Sequence, residues 1–471
     1  MFKSKALNLI LTSLITIFSL LLGIYLYVIR DSLEVGYQNL YILPICYMIF
    51  YLLFIRVVIK YYGISLFLGV YITVSFSRYV VLSYLIVKSQ WFLGRSQFPP
   101  DFYLFNKAIY LMAYELLAYN IAILLFHKIL FKNKVKENAS NKDINEINEI
   151  RFSNNNVFYY IFIIFTAFLV IIRPGALNFF SFFSVNSSYT SIEDADTLTS
   201  IVIIFLNISR LLIYFILVRW IYQKFHKSNI ILSFSLISIV TIINALIFFG
   251  NNRSDFIFNF IINMIVLVYL YKKLGITLNA FLILLLPIVV RGLTDYRESV
   301  TVTKGANKLV DITDNIQVYL GGIYNVAISL DLPPRSHNPF MLFADILRSA
   351  IGPNLILKNI NVVSSVKLFN YRIYQNDHIS QIIPMIGQAN LYLGFIFAPF
   401  LGIFFIGLAV FFVKEIIKVK RFELIYVLTL FSGRLGFVMG QNGNILLNDL
   451  TFFLPLFLLV FYFNNKVVIR E

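Results

Sequence analysis

Arginines inside apolar stretches, and histidines in a loop between them, are the residues of this 471-residue sequence that could do chemistry. Five ionisable side chains interrupt long apolar runs: Arg78, Lys107, Glu115, Arg210 and Arg434. A charge in such surroundings is costly and faces a partner or a cavity. Lys107 is near the end of its run, where snorkelling accounts for it. Glu115 is able to neutralise one of the arginines. Arg78 and Arg210 admit two readings, an internal salt bridge or contact with a ligand. Arg434 lies in Ser432-Gly433-Arg434-Leu435-Gly436, where flanking glycines permit close approach, and reads as functional.

A second group lies in the junctions. Gly250-Asn251-Asn252-Arg253-Ser254-Asp255 follows one apolar run and opens the next. A tight turn explains Gly, Asn, Ser and Asp there, with Ser254 or Asp255 as the helix cap. It does not explain Arg253, and an arginine beside a helix N-terminus suits a phosphate. Arg291 and Arg297 stand near Asp295 and Glu298. His337, in Arg335-Ser336-His337-Asn338, and His378, in Asn376-Asp377-His378-Ile379, share one long loop. A solvated loop histidine is the plain reading of each. His378 also precedes an apolar run entered through Gln381-Ile382-Ile383-Pro384, which puts an acid–base group beside the arginines. Together these types suit an anionic, phosphate-bearing ligand with an acid–base group near it.

The elements that must position them are membrane helices. Hydrophobic residues make up 59% of the chain and charged residues 13%, with a mean hydropathy of +0.81. Such a chain cannot hide its apolar surface in an ordinary core, which excludes a soluble enzyme. The single cysteine, Cys46, excludes a disulfide within the chain, and no Cys/His spacing suits a metal. No phosphate-binding loop, dinucleotide fingerprint, zinc-protease motif or nucleophile elbow occurs.

The fold expected is an all-α polytopic membrane protein of about 12 transmembrane helices with one large outer loop containing short interfacial helices. Apolar runs lie at about 6–29, 40–60, 64–88, 103–130, 157–177, 199–222, 230–250, 255–273, 277–291, 386–413, 422–439 and 445–464. They divide the chain into four helices in 1–131, a polar cytoplasmic linker at 132–156, five helices in 157–291, the loop at 292–385 and three helices in 386–471. With the N-terminus inside, cytoplasmic segments hold about 21 Lys and Arg against about five in the short outer loops, so both termini are expected in the cytoplasm. Most of the net charge of +16 is therefore topology and not a nucleic-acid signature. In the loop, Pro339 to Arg348 is too short to span and reads as interfacial or re-entrant. Val310 to Leu330 reads as another such helix, broken at Gly321-Gly322.

This architecture resembles the bacterial O-antigen polymerase (Wzy) family of repeat-unit polymerases. The similarity lies in the span number, the late outer loop and the arginines at the outer face. The stretches Gly250 to Asp255 and His378 through Gly387, Gly394 and Gly402 add to it, and Ser336-His337-Asn338 is similar to the His-Asn pair of the related O-antigen ligases. The resemblance implies a membrane glycosyltransferase of the bacterial cytoplasmic membrane, working at its outer face on an undecaprenyl-pyrophosphate-linked oligosaccharide. It implies no cofactor and no metal, with arginines in place of a divalent cation, and leaves room for a chain-length regulator protein as partner. On this reading Arg253, Arg434 and Arg210 line the pyrophosphate site, Arg297 helps from the loop and Arg78 is a further candidate. His378 is the base, with Asp377 or His337 as substitutes. A lipid-linked oligosaccharide flippase and an O-antigen ligase are the alternatives. The long outer loop and the lack of two similar halves count against the flippase, while the ligase differs only in acceptor.

Overall fold

A computed structural model of the protein describes residues 5–96, 98–132, 150–153, 155–182, 197–249, 253–279, 282, 307–334, 338–350, 353–357, 363–374 and 381–466. Among them, six helices are long and apolar enough to cross a membrane, and five shorter apolar helices accompany them. The chain is a multi-pass membrane protein. Large aliphatic and aromatic side chains such as Leu14, Ile164, Ile171 and Phe404 lie exposed along these helices, where only a bilayer covers them.

In chain order the helices are α1 (Lys5–Val28), α2 (Ile42–Tyr62), α3 (Leu66–Ser89), α4 (Phe102–Leu130), α5 (Val157–Ile172), α6 (Thr197–Phe225), α7 (Ile230–Leu246) and α8 (Arg253–Tyr271). There follow α9 (Lys308–Leu320), α10 (Ile323–Leu330), α11 (Pro339–Leu347), α12 (Pro353–Leu357), α13 (Ser365–Tyr374), α14 (Met385–Phe397), α15 (Phe400–Lys418), α16 (Phe422–Leu435) and α17 (Gly443–Lys466). The chain divides into two compact units. The first takes Met1–Asp143, Val300–Glu415 and Phe431–Asp449, and the second takes Ile144–Ser299, Ile416–Leu430 and Leu450–Glu471. The helices of the expected outer loop thus belong with the first four helices.

In the first unit α4 is central, packed by α2, α10 and α14. Its buried side includes Leu104, Phe105, Ile109, Met112 and Leu116. Two helices contain a π turn, Tyr51–Ile55 in α2 and Ser77–Val81 in α3. α9 ends at Gly321, which is left-handed with φ +60°, and α10 starts after Gly322. Only glycine takes that φ without strain, and a Cβ on Gly321 would press on Pro384 and the Met439 carbonyl. Every residue from Ile323 to Ser329 is buried. α10 is therefore not laid on a surface, as an interfacial helix would be, but enclosed by protein. The expected span at 386–413 is instead two helices. α14 kinks at Gly394 and ends at Phe397, and α15 restarts after Pro399. Gly394 takes a left-handed φ of +75°, and Pro399 has no N–H to carry the helical hydrogen bonds onward, which together make the break.

In the second unit α6 packs on α5 and α7, and α7 packs on α8. Among the described residues the fold is all-helical as expected, with one short exception here. The seventh apolar run stops being helical at Leu246, and Ile247–Phe249 pairs antiparallel with Phe180–Phe182 as strands β2 and β1, Phe180 opposite Phe249. β-branched and aromatic residues favour such pairing, and an apolar run does not distinguish it from more helix. Inside the expected linker, residues 151 to 153 are hydrogen-bonded to the chain around 420–423. Arg151 N donates to the Lys420 carbonyl (2.8 Å), and Phe422 N donates to the Arg151 carbonyl (3.0 Å). Ser153 N donates to Glu423 Oε1 (3.2 Å). Of the expected ninth span, 277–291, only 277–279 and 282 are among the described residues.

Candidate functional site

Four arginines of the first unit, Arg78, Arg95, Arg372 and Arg434, each meet a carboxylate. Arg78 sits in the π turn of α3 and meets Glu115 of α4, Nη1 to Oε2 at 2.7 Å, with both side chains 0% exposed. Tyr79 OH donates to the same carboxylate oxygen (2.9 Å), and Arg78 Nε donates to the Gly321 carbonyl (2.9 Å). A cation at the end of α9 also suits the helix dipole. Of the two readings of Arg78, the structure displays the internal pair, with no exposed surface for a ligand. Arg95 and Trp91 both donate to Asp314 of α9, at 2.6 and 3.1 Å. Arg372 donates to Asp331 (2.8 Å) and to the Phe98 carbonyl (2.9 Å). Arg434, at the end of α16, is paired with Asp449 of α17, their side chains 21% and 26% exposed. A phosphate at Arg434 would compete with that carboxylate. The glycines beside Arg434 have a packing role as well: Gly433 lies against Leu66, and Gly436 against the Phe67 carbonyl.

A buried polar junction joins α11, α13, α14 and α17 in the same unit. Asp345, 1% exposed, accepts from Ser365 N (3.1 Å) and Tyr392 OH (2.9 Å) through Oδ2. Gln388 donates to Ser365 Oγ (3.0 Å) and Asn444 Oδ1 (2.6 Å) and accepts from Gly443 N (2.8 Å). Asn444 Nδ2 donates to the Asp345 carbonyl (2.7 Å) and Ser349 Oγ (2.8 Å). Sequence reasoning did not single out this junction. The signal available was a carboxylate inside the short apolar helix Pro339–Leu347.

The second unit differs. Arg210, half-buried on α6, donates through Nη1 to the Ile247 carbonyl at the start of β2. Its Nε is buried without a hydrogen-bond partner, and no carboxylate among the described residues pairs with it. Asn259, in the second turn of α8, donates to the same Ile247 carbonyl (3.0 Å) and to the carbonyls of Ala245 (3.1 Å) and Asn244 (3.0 Å). It thereby closes the end of α7, whose last carbonyls have no partner within the helix. A ladder continues inward. Asn263 Nδ2 donates to the Asn259 carbonyl (2.7 Å), and Asn244 Nδ2 donates to Asn263 Oδ1 (2.8 Å) and Tyr426 OH (3.2 Å). Two sequence-predicted residues therefore belong to one neighbourhood. Arg210 shares a carbonyl with the second turn of α8, and Arg253 is the first residue of α8. The Arg253 side chain is outside the described residues.

Arg297, His337, Asp377 and His378 also lie outside the described residues. The flanks of the segment carrying Asp377 and His378 are described, and they are tied. Gln381 N donates to Asn370 Oδ1 (2.8 Å), and Asn370 Nδ2 donates back to the Gln381 carbonyl (2.9 Å). No group of three or more His, Cys, Asp or Glu side chains suited to a metal occurs among the described residues. No family model matches the chain, and no curated protein or solved structure matches it.

Proposed function

We propose that the protein polymerises undecaprenyl-pyrophosphate-linked oligosaccharide repeat units into a surface polysaccharide of the O-antigen or capsule type. The reaction takes place at the outer face of a bacterial cytoplasmic membrane, with about twelve spans and both termini in the cytoplasm. The observation that carries the reading is Arg210, a guanidinium in an apolar helix with no carboxylate beside it among the described residues. Arg78, Arg95 and Arg434 each hold one. A membrane-embedded cation without a counter-charge suits an anionic ligand. Arg210 shares a carbonyl with the second turn of α8, and a helix N-terminus suits a phosphate in particular.

In the transfer, an acceptor sugar hydroxyl attacks the anomeric carbon of the donor chain. The bond from that carbon to the pyrophosphate oxygen breaks, and undecaprenyl pyrophosphate leaves with the electron pair. Arg210 and Arg253 stabilise the charge developing on it, with more effect where water is scarce. The proton of the hydroxyl goes to a base, assigned to His378, with Asp377 or His337 as substitutes.

Deleting the gene and examining the surface glycan tests the function. Lipid-capped single repeats are the expected result. Absence of any outer repeat would identify a flippase, and unattached long polymer a ligase. The base is tested separately: His378→Ala should abolish single-turnover transfer in vitro, and undiminished transfer would remove His378 from that role.

A further inference from the structure

Helix α11 has two unlike faces. Leu342, Ala344, Asp345 and Ile346 are buried. Phe340 and Phe343 are 68% and 61% exposed, and exposed Leu347 lies on the same side, the three recurring at the helical spacing i, i+3, i+7. Ile356 of α12 adds a further exposed side chain, 79% open. The helix is anchored at its start, where Asn338 accepts from Phe340 N (3.0 Å) and Pro339 takes the first position.

We infer that the Phe340–Phe343–Leu347 face of α11 seats in the headgroup–acyl boundary of the bilayer. At about 1.5 Å per residue, α11 covers only about 13 Å of a hydrocarbon layer near 30 Å, so it cannot cross. It packs on α14, an apolar helix on which Ile396 and Phe397 are exposed as well. The outer face carries no charge, and its polar contacts are all made from the opposite side. The seat thereby sets the depth of the polar junction. Asp345, on the inner face, holds Ser365 at the start of α13 and Tyr392 of α14. The seat is independent of what the embedded arginines bind.

The test is tryptophan fluorescence of the full chain in phosphatidylcholine vesicles. Emission of the Phe343→Trp variant is measured and the emission of the parent chain, with Trp91 and Trp220, is subtracted. Bromine placed high on the acyl chains should lower the added emission about twofold or more, bromine near the methyl ends less, and iodide in the buffer little. Phe340→Trp, one turn away, should repeat the pattern, and it supplies the result if the first variant does not reconstitute. Quenching by iodide but not by bromolipid would place the face in water and overturn the seat. Insensitivity to both would mean that protein, such as a second copy of this chain, covers it, and would overturn it equally.

Discussion

Arg210 and Asn259 donate to one carbonyl, that of Ile247. The guanidinium comes from α6 and the amide from α8, and they meet where α7 gives way to β2. One Arg210 nitrogen is thus fixed while its Nε is left without a partner among the described residues. A guanidinium with one donor used and another unmatched suits an anionic ligand.

Arg210→Lys keeps the charge and loses the fork. With protein abundance unchanged, polymer should fall roughly tenfold or more, about the loss of one charge-assisted bond in the transition state. Glycan length on gels from cells carrying the variant measures it, and wild-type lengths would remove Arg210 from the pyrophosphate site.

Glu115→Gln should be far more damaging to the fold than to any ligand. It leaves the Arg78 guanidinium buried and uncompensated, at a cost of about 3–5 kcal/mol. The double variant Arg78→Met with Glu115→Gln should recover much of that loss. Thermal aggregation of detergent-purified protein reads both, and a single variant as stable as the parent would show that the pair is not needed.

Gly321→Ala places a Cβ on a left-handed residue against Pro384 and the Met439 carbonyl. The expected cost is about 1–2 kcal/mol from backbone handedness alone, with the contact adding to it. A lowered midpoint in the same aggregation assay is the expected readout, and an unchanged midpoint would mean the α9–α10 break is not fixed there.

Asn370→Ala removes two hydrogen bonds to Gln381, about 1–3 kcal/mol in all. Added protease should cut between 371 and 381 faster in the variant than in the parent. If His378 is the base, transfer should fall as well, since the ends of its segment are no longer tied. Unchanged cleavage would show that the pair does not hold the segment.

The break at Gly321-Gly322 was legible because two adjacent glycines inside an apolar periodic stretch leave few other readings. The Arg78–Glu115 pair was half legible. Cost alone demands a partner for each charge, but not which of several arginines meets Glu115. The junction of Asp345, Gln388 and Asn444 was not legible, because its members lie up to 99 residues apart and pair only through packing. The π turns and the strand at Ile247–Phe249 were hidden for another reason. In helices apolar on most sides, periodicity carries little information about a one-residue bulge or the point where helix ends.

The enclosed Arg78–Glu115 pair also constrains how the chain enters the membrane. α3 is synthesised before α4, so for a time Arg78 has no carboxylate to meet. Released alone into lipid, α3 would carry an unmatched cation. Insertion of α3 and α4 as one hairpin avoids that state. Moving Glu115 out of α4 should therefore stall α3 at the insertion machinery or leave it outside the bilayer, a defect of biogenesis that precedes any question of catalysis.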